Sequence, residues 1–354
     1  MTARCVGRFF RTDGRYLQRA YKEVLSDFGA WEQAAHAGEW VLLEGNVGER
    51  LSIDETMLHR DLFTLLSNKE GHGKRGTLVA AVKGTTVADV AGVLSKIPLD
   101  VRLRVKEVTM DFSDSMMGIV RAMFPCAEIV IDRFHVAQLA GKGLEEMRLK
   151  LKRAARAKAK SQELEFKRKQ KLRARARARY AKKHKPKRSK NGKRLGRPRK
   201  RSNERFVPAK LRNGETRVDL LTHVRYPLLK SGDDWTAFQR EEMRILFELE
   251  PRMRTAYGLL CSLRSIFDKR QDKEKARKAL HSWYKNVGKS KIRELFAVRD
   301  AIMGKEEYVL NYFNNRSTNA SAESFNSKIK GFRTQARGVS DLPFFMYRLV
   351  KIFG

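Results

Sequence analysis

Three short apolar runs of the chain reach an aspartate: Leu51-Ser52-Ile53-Asp54, Val108-Thr109-Met110-Asp111 and Ile129-Val130-Ile131-Asp132. A histidine follows the last of them at position 135, and a further acid, Glu323, stands in the string TNASAESFNSKIKGF at 318–332. Open mixed sheets collect their reactive groups at the carboxyl ends of strands. Carboxylates gathered there repel one another unless positive charge intervenes. A hard divalent cation is the ordinary answer. Mg2+ takes oxygen ligands and keeps waters, and two such ions about 3.5–4 Å apart can activate a nucleophile and stabilise a leaving oxygen. A phosphodiester is the substrate that suits such a cage. A lone aspartate after a strand is more often a turn former or helix cap, the reading that suits Asp114, and Glu55 reads as a solvated neighbour. The joint placement of Asp54, Asp111 and Asp132 is what points to metal-assisted chemistry.

The elements that must position these groups are legible in outline. Residues 1–45 read as a small helical lead-in, with apolar residues at helical spacing from Leu17 to Phe28. LSIDETML, DLFTLLSN and TLVAAVKG read as three strands of an antiparallel meander, with a turn-rich KEGHGKRG before the third. VADVAGVLSKI reads as a helix, VRLRVKEVTM as a fourth strand, SDSMMGIVRAMF as a helix capped by Ser113 or Asp114, and CAEIVIDRF as a fifth strand. The order βββαβαβ over residues 46–136 predicts an α/β mixed sheet with helices on its faces. Residues 206–315 are helical throughout, and 316–354 begin with one more helix, striped by Ala322, Phe325, Ile329 and Phe332. Glu323, Asn326, Ser327 and Lys330 share a polar face of that helix at i, i+3, i+4 and i+7. Glu323 sits near its start, where the helix dipole favours a carboxylate. Asn326 and Lys330 are placed to hold a phosphate or orient the acid, or simply to face solvent.

Composition sets the partner. The formal net charge is +36, and 42% of the chain is hydrophobic. So large a basic excess beside a sizeable core implies a polyanion, with nucleic acid the default. Between residues 148 and 201 there are 27 Lys or Arg and two acids. The first part of this stretch, within 137–205, reads as a projecting basic helix, and HKPKRSKNGKRLGRPRKRSN as a flexible loop broken by Pro and Gly. Arg148, Lys152, Arg153, Arg173, Arg175, Arg177, Arg179, Arg197 and Arg199 are its candidate DNA-binding residues. LGRPRKR resembles an AT-hook core, although nonspecific grip comes first in so basic a tract. Cys5, Cys126 and Cys261 form no C-x-x-C pair, so neither a zinc ribbon nor a disulfide framework is supported, and a reducing cytoplasm follows. No apolar run suggests a membrane span.

The strings IDE at 53–55, TMD at 109–111, IDRFHV at 131–136 and TNASAESFNSKIKGF at 318–332 together resemble the DDE transposases of bacterial insertion sequences, most closely the ISL-three group, related in layout to the Mutator-type enzymes. The resemblance runs from about residue 40 to the C-terminus. It implies an RNase H-like sheet interrupted by a large all-helical insertion and closed by a C-terminal catalytic helix. It also implies Asp54, Asp111 and Glu323 as the catalytic, metal-holding acids, with two Mg2+ or Mn2+ ions. Asp132 and His135 match an accessory D-x-x-H pair, and an assignment to Asp111, Asp132 and Glu323 fits the motifs as well. His135 is expected to contact DNA or organise the site, and Trp283 to stack on a displaced base or to lie in the core.

The implied activity is cleavage of DNA at the ends of a mobile element and strand transfer into target DNA, by a dimer or larger assembly on double-stranded DNA. The implied location is the bacterial cytoplasm, at the nucleoid. Relatives carry a zinc-binding and helix-turn-helix region before the first strand. Here about 45 residues precede it, without a cysteine cluster, so either a separate polypeptide recognises the terminal repeats or the chain is truncated. The rival expectations are an RNase H-like nuclease such as a junction resolvase, and a noncatalytic DNA-binding remnant of a transposase.

Overall fold

The computed structural model describes residues 3–184, 190–191, 204–335 and 341–354. The chain divides into two compact units. The first takes in Met1–Leu139, Leu263–Tyr284 and Arg299–Gly354, and the second Ala140–Ser262 and Lys285–Val298.

The first unit is built on one mixed sheet of six strands. These are β1 (Trp40–Leu42), β2 (Arg50–Leu58), β3 (Asp61–Asn68), β4 (Leu78–Lys83), β5 (Glu107–Met110) and β6 (Glu128–Ile131). Their order across the sheet is β1-β4-β3-β2-β5-β6. β2, β3 and β4 form the expected antiparallel meander, while β5 and β6 run parallel to β2. β2 is therefore central and buries both faces. Leu51 and Ile53 point one way and Ser52, Thr56 and Leu58 the other, and all are buried. Helices Val87–Leu94 and Asp114–Met123 pack on each other and against β4 and β5. On the Leu58 side, Phe325 and Ile329 of helix Ala320–Gln335 join Phe345, Met346, Leu349 and Phe353 of helix Leu342–Phe353 in a core with Phe63, Leu65, Leu78 and Ala81. That core fixes where the polar face of Ala320–Gln335 must lie.

Two expectations change. The lead-in is not wholly helical, because Trp40–Leu42 adds an edge strand to β4, pairing Val41 with Ala81. A three-residue strand is too short to show alternation in sequence. The expected fourth strand is also shorter than its apolar pattern. Leu99–Leu103 is a helical turn in which the N–H groups of Val101 and Arg102 both bond to the Pro98 carbonyl, and only Glu107–Met110 is extended. The alternation of Val101 and Leu103 with Arg102 and Arg104 imitated a strand.

The second unit is helical. From Ala140 onward it contains most of the 51-residue helix Arg133–Lys183, followed by helices Arg217–His223 and Ala237–Leu249, each opened by a capping box at Thr216 and Thr236. Residues 171–184 are exposed on every side, as expected of a helix polar all round that projects from its body. Most of the expected flexible loop, with Arg197 and Arg199, lies outside the described residues.

Candidate active site

Strand register brings the three aspartates into one row. Ser52 pairs with Thr109 across β2 and β5, and Thr109 with Val130 across β5 and β6. The Ser52 and Thr109 hydroxyls bond to each other at 2.7 Å, so this row faces one side. Two residues further on, on the same side, stand Asp54, Asp111 and Asp132. The ladder still holds at that level, since the Asp132 N–H bonds to the Met110 carbonyl at 3.0 Å.

Each acid is held differently. Asp54 is half-buried. Its Oδ1 accepts the Glu55 N–H at 2.8 Å, and its Oδ2 accepts from Asn326 Nδ2 at 2.6 Å. Asp111 directly follows β5 and accepts the Ser113 N–H at 2.9 Å, while Ser113 caps the next helix. Asp132 is 2% exposed, and both of its oxygens accept backbone N–H groups: Phe134 at 3.0 Å and Asn319 at 2.9 Å. Glu323, in the first turn of Ala320–Gln335, is exposed.

These groups converge. Single ligand atoms of Asp132, His135 and Glu323 lie within 4.8 Å of one another. Asp54 and Asp111 stand outside that tight cluster but within electrostatic reach of it. Burial raises the Asp54 carboxyl above its ordinary value, the charges of Asp111 and Glu323 add to the rise, and the Glu55 N–H and His135 oppose it. Glu55 is likewise raised by burial, then by Asp111 and Asp54, so it belongs to the electrostatics of the site rather than to bulk solvent. Among the described residues no Lys, Arg or His nitrogen lies within 4.0 Å of any carboxylate oxygen of Asp54, Glu55, Asp111, Asp132 or Glu323. A concavity lined by Asp132, Phe134, Arg264, Phe267, Thr318 and Glu323, among others, opens beside them.

The donor set suits a hard cation. It is rich in carboxylate oxygen, none of it within 4.0 Å of a basic nitrogen among the described residues, and it is bordered by the buried Asn326 Oδ1, which has no hydrogen-bond partner among them. Asn326 donates a hydrogen bond to Asp54, whereas Lys330 is exposed on the same helix and, among the described residues, pairs with none of the acids. Asn319 also reaches the row of acids. It is fully buried, and besides holding Asp132 its Oδ1 accepts from the Thr109 hydroxyl at 3.4 Å, tying the start of the helix to the row of acids. Its signal in the sequence is its place in TNASAESFNSKIKGF, four residues before Glu323.

Among the basic candidates, Arg153, Arg173, Arg175, Arg177 and Arg179 are exposed. Lys152 is partly covered, and its ammonium is lowered by burial and by the charges of Arg156 and Arg148. Arg148 must be withdrawn from the phosphate-binding set. It is 3% exposed, forks onto both Glu145 oxygens at 2.7 and 2.6 Å, and donates to the Leu221 carbonyl, so its charge is spent inside the second unit. Trp283 is buried, the core alternative for that residue.

Acids gathered at the strand ends of a mixed α/β sheet are an arrangement that could hold a hard divalent cation. The comparison with known families narrows this: a family model described as transposase matches residues 51–195 and 189–349. The chain belongs to the ISL-three family of DDE transposases, and that membership supports a DNA transposase acting on DNA. DDE transposases generally depend on a divalent metal. No curated protein and no solved structure matches the chain. Among the described residues no helix is long and apolar enough to cross a membrane.

Proposed function

We propose that the chain catalyses metal-dependent DNA strand cleavage at insertion-sequence ends and strand transfer into target DNA, on an RNase H-like core formed by residues 46–136 and 316–354. The strand order β4-β3-β2-β5-β6, with β1 as an added edge, supports that reading of the core. In this reading 206–315 is the helical insertion and 137–205 the DNA-gripping arm. The observation that carries the proposal is the convergence of Asp54, Asp111, Asp132 and Glu323 with no basic nitrogen within 4.0 Å among the described residues, in a protein of net charge +36. Several acids gathered at one point without a basic partner repel one another, and a bound cation relieves that repulsion.

Asp54, Asp111 and Glu323 are the residues that would hold Mg2+ or Mn2+, two ions in all. Such ions, when bound, lower the pKa of water and neutralise charge on the leaving oxygen. The protein's own part is placement. Asn326 orients Asp54, the Ser113 N–H fixes Asp111, and Asn319 locks Asp132 to the helix that carries Glu323. His135 stands beside Glu323, where its imidazole can contact the phosphate backbone. Water attacks the phosphorus at the element end, the bond to the 3′ oxygen breaks, and a 3′ hydroxyl is left. That hydroxyl then attacks a target phosphodiester and displaces its 3′ oxygen. Joining two ends calls for at least a dimer on DNA.

A second reading puts Asp132 in place of Asp54, favoured by the 4.8 Å cluster of Asp132, His135 and Glu323. Against it, Asp132 is almost wholly buried at 2% exposed, whereas Asp54 is only half-buried. The test is Mg2+-dependent nicking and joining of DNA carrying the element's flanks. Glu323→Gln is expected to abolish both while leaving DNA affinity nearly unchanged. Retained nicking in Glu323→Gln removes that residue from the mechanism. Loss in Asp132→Asn with activity kept in Asp54→Asn selects the second reading, and cutting without joined products selects a resolvase.

A further inference from the structure

A second cluster of metal-type ligands lies wholly within the helical unit. His223 Nδ1 is 2.7 Å from Glu215 Oε1 and 3.5 Å from Glu242 Oε1, and the three ligand atoms fall within 4.8 Å of one another. Glu242, on helix Ala237–Leu249, is 2% exposed, and among the described residues its Oε1 makes no hydrogen bond. No Lys or Arg of the described residues pairs with Glu215 or Glu242. A ring nitrogen carries one proton at most, and at 2.7 Å it goes to Glu215. The Glu242 oxygen is left buried and unsatisfied, which is costly for a carboxylate.

The surroundings are built to hold this arrangement. Residues Leu211–Glu215 form a tight turn closed by the Leu211 N–H on the Glu215 carbonyl at 2.7 Å, with Gly214 at φ +83°. Asn213 Nδ2 donates to Glu215 Oε2 at 2.8 Å, which leaves Oε1 turned to His223. The turn is tied to the same helix from another side by Arg212, which pairs with Glu241 at 3.1 Å and Glu248 at 2.9 Å. Glu215 and His223 bracket helix Arg217–His223, so anything bound between them and Glu242 clasps two helices and a turn.

We propose that Glu215, His223 and Glu242 form a site for a transition-metal dication of the zinc type, distinct from the acids on the sheet. One imidazole and two carboxylates match Zn2+ and leave a fourth position for water. Mg2+, which takes oxygen ligands almost exclusively, suits the set poorly. The metal replaces the shared proton, satisfies the Glu242 oxygen and staples the turn to the helix. Asn213 is a positioning residue, orienting Glu215 without touching the ion.

The test is Zn2+ uptake by the full-length, chelator-stripped protein, with equilibrium stoichiometry and zinc X-ray absorption as readouts. Glu323→Gln serves as the control for the sheet acids. One equivalent is expected to persist in Glu323→Gln and to be lost in His223→Gln, whose half-exposed side chain can be replaced without opening the core. Glu215→Gln should lose it too. Zinc–ligand distances should fit one nitrogen and oxygens at about 2.0–2.2 Å. Asn213→Ala should weaken binding about 10–100-fold with the same absorption signature. Absence of that equivalent in the wild-type protein, or its retention in both His223→Gln and Glu215→Gln, overturns the proposal and leaves a proton on Glu242 as the account of the cluster.

Discussion

The acids on the sheet and the basic helix after residue 148 both carry unbalanced charge, but in different settings. Around Asp54 and Asp111 the imbalance is half-buried, held in place by Asn326 and by backbone N–H groups. Along residues 171–183 it is fully exposed, and the nearest acids of the same helix, Glu163 and Glu165, pair with Lys167 and Lys169 at i+4. Buried charge of one sign requires a counter-ion at one defined point, since low dielectric and fixed ligands leave no choice. Exposed charge is screened within about 8–10 Å at ordinary ionic strength and needs only a polyanion that displaces its counterions. The first region should therefore respond to single-atom changes and hardly to salt, and the second to salt and hardly to single-atom changes.

The sharpest way to break this contrast is at Glu323. Glu323→Gln removes one charge and almost no volume, and nicking is expected to fall by about 10³-fold or more, with DNA affinity within about twofold of wild type. A variant that loses DNA binding and nicking together would merge the two regions into one function. Salt gives the complementary result. If the arm and its loop neutralise six or more phosphates, affinity should drop by roughly 10³ between 50 and 200 mM salt. Successive arginines in 173–179 point to two sides of the helix, Arg173 with Arg177 and Arg175 with Arg179, so contact with all four needs phosphates on both flanks. Replacing the four with Ala should lower the slope of log affinity against log salt by about 3–4. At saturating DNA the nicking rate should be retained. An unchanged slope would place the phosphate contacts elsewhere.

Much of this contrast was readable in the residues. Asp111 and Asp132 stood out because an apolar run before each forces a buried strand and the acid marks its exit. Glu323 stood out because Ala322, Phe325 and Ile329 stripe the opposite side of its helix. Other features were not legible, for physical reasons. Arg148 looks like any arginine of a basic tract, and what buries it is the Leu221 carbonyl, 73 residues away, together with Glu145. Trp40–Leu42 is a strand only because β4 offers it an edge. Asn319 sits in the motif, but its grip on Asp132 depends on a chain return of 187 residues. Local pattern reports what a segment needs, and long-range partners decide which need is met.

A smaller effect should follow at Asn326. Asn326→Ala removes the 2.6 Å bond to Asp54 without touching the acids, and leaves Asp54 Oδ2 free to turn. Loss of an orienting partner of this kind typically costs about 10–100-fold in metal affinity or activity. The Mg2+ concentration giving half-maximal nicking should rise accordingly, and the rate at saturating Mg2+ should recover. A fall in rate that added Mg2+ does not restore would make Asn326 a substrate contact rather than an orienting group.

The smallest effect is on stability, and its sign is diagnostic. Burial first, and then Asp111 and Glu323, raise the Asp54 carboxyl above its ordinary value of 3.8. The metal-free folded protein therefore binds more protons than the unfolded chain over the interval from about that value up to the raised one. Stability accordingly declines through this group as pH rises across that interval and stays lowered above it. At neutral pH, Asp54→Asn in the metal-free protein should melt higher than wild type, by a few degrees at most. Lowering the pH to the bottom of the interval should close the gap. Mg2+ should raise the melting temperature of wild type and scarcely that of Asp54→Asn, because the ion relieves the repulsion that the substitution has already removed. A metal-free Asp54→Asn protein that melts lower than wild type at neutral pH would mean that the Asn326 bond to the ionised carboxylate outweighs the like-charge repulsion. The acids would then be stably arranged without a cation, and the contrast with the basic helix would lose its physical basis.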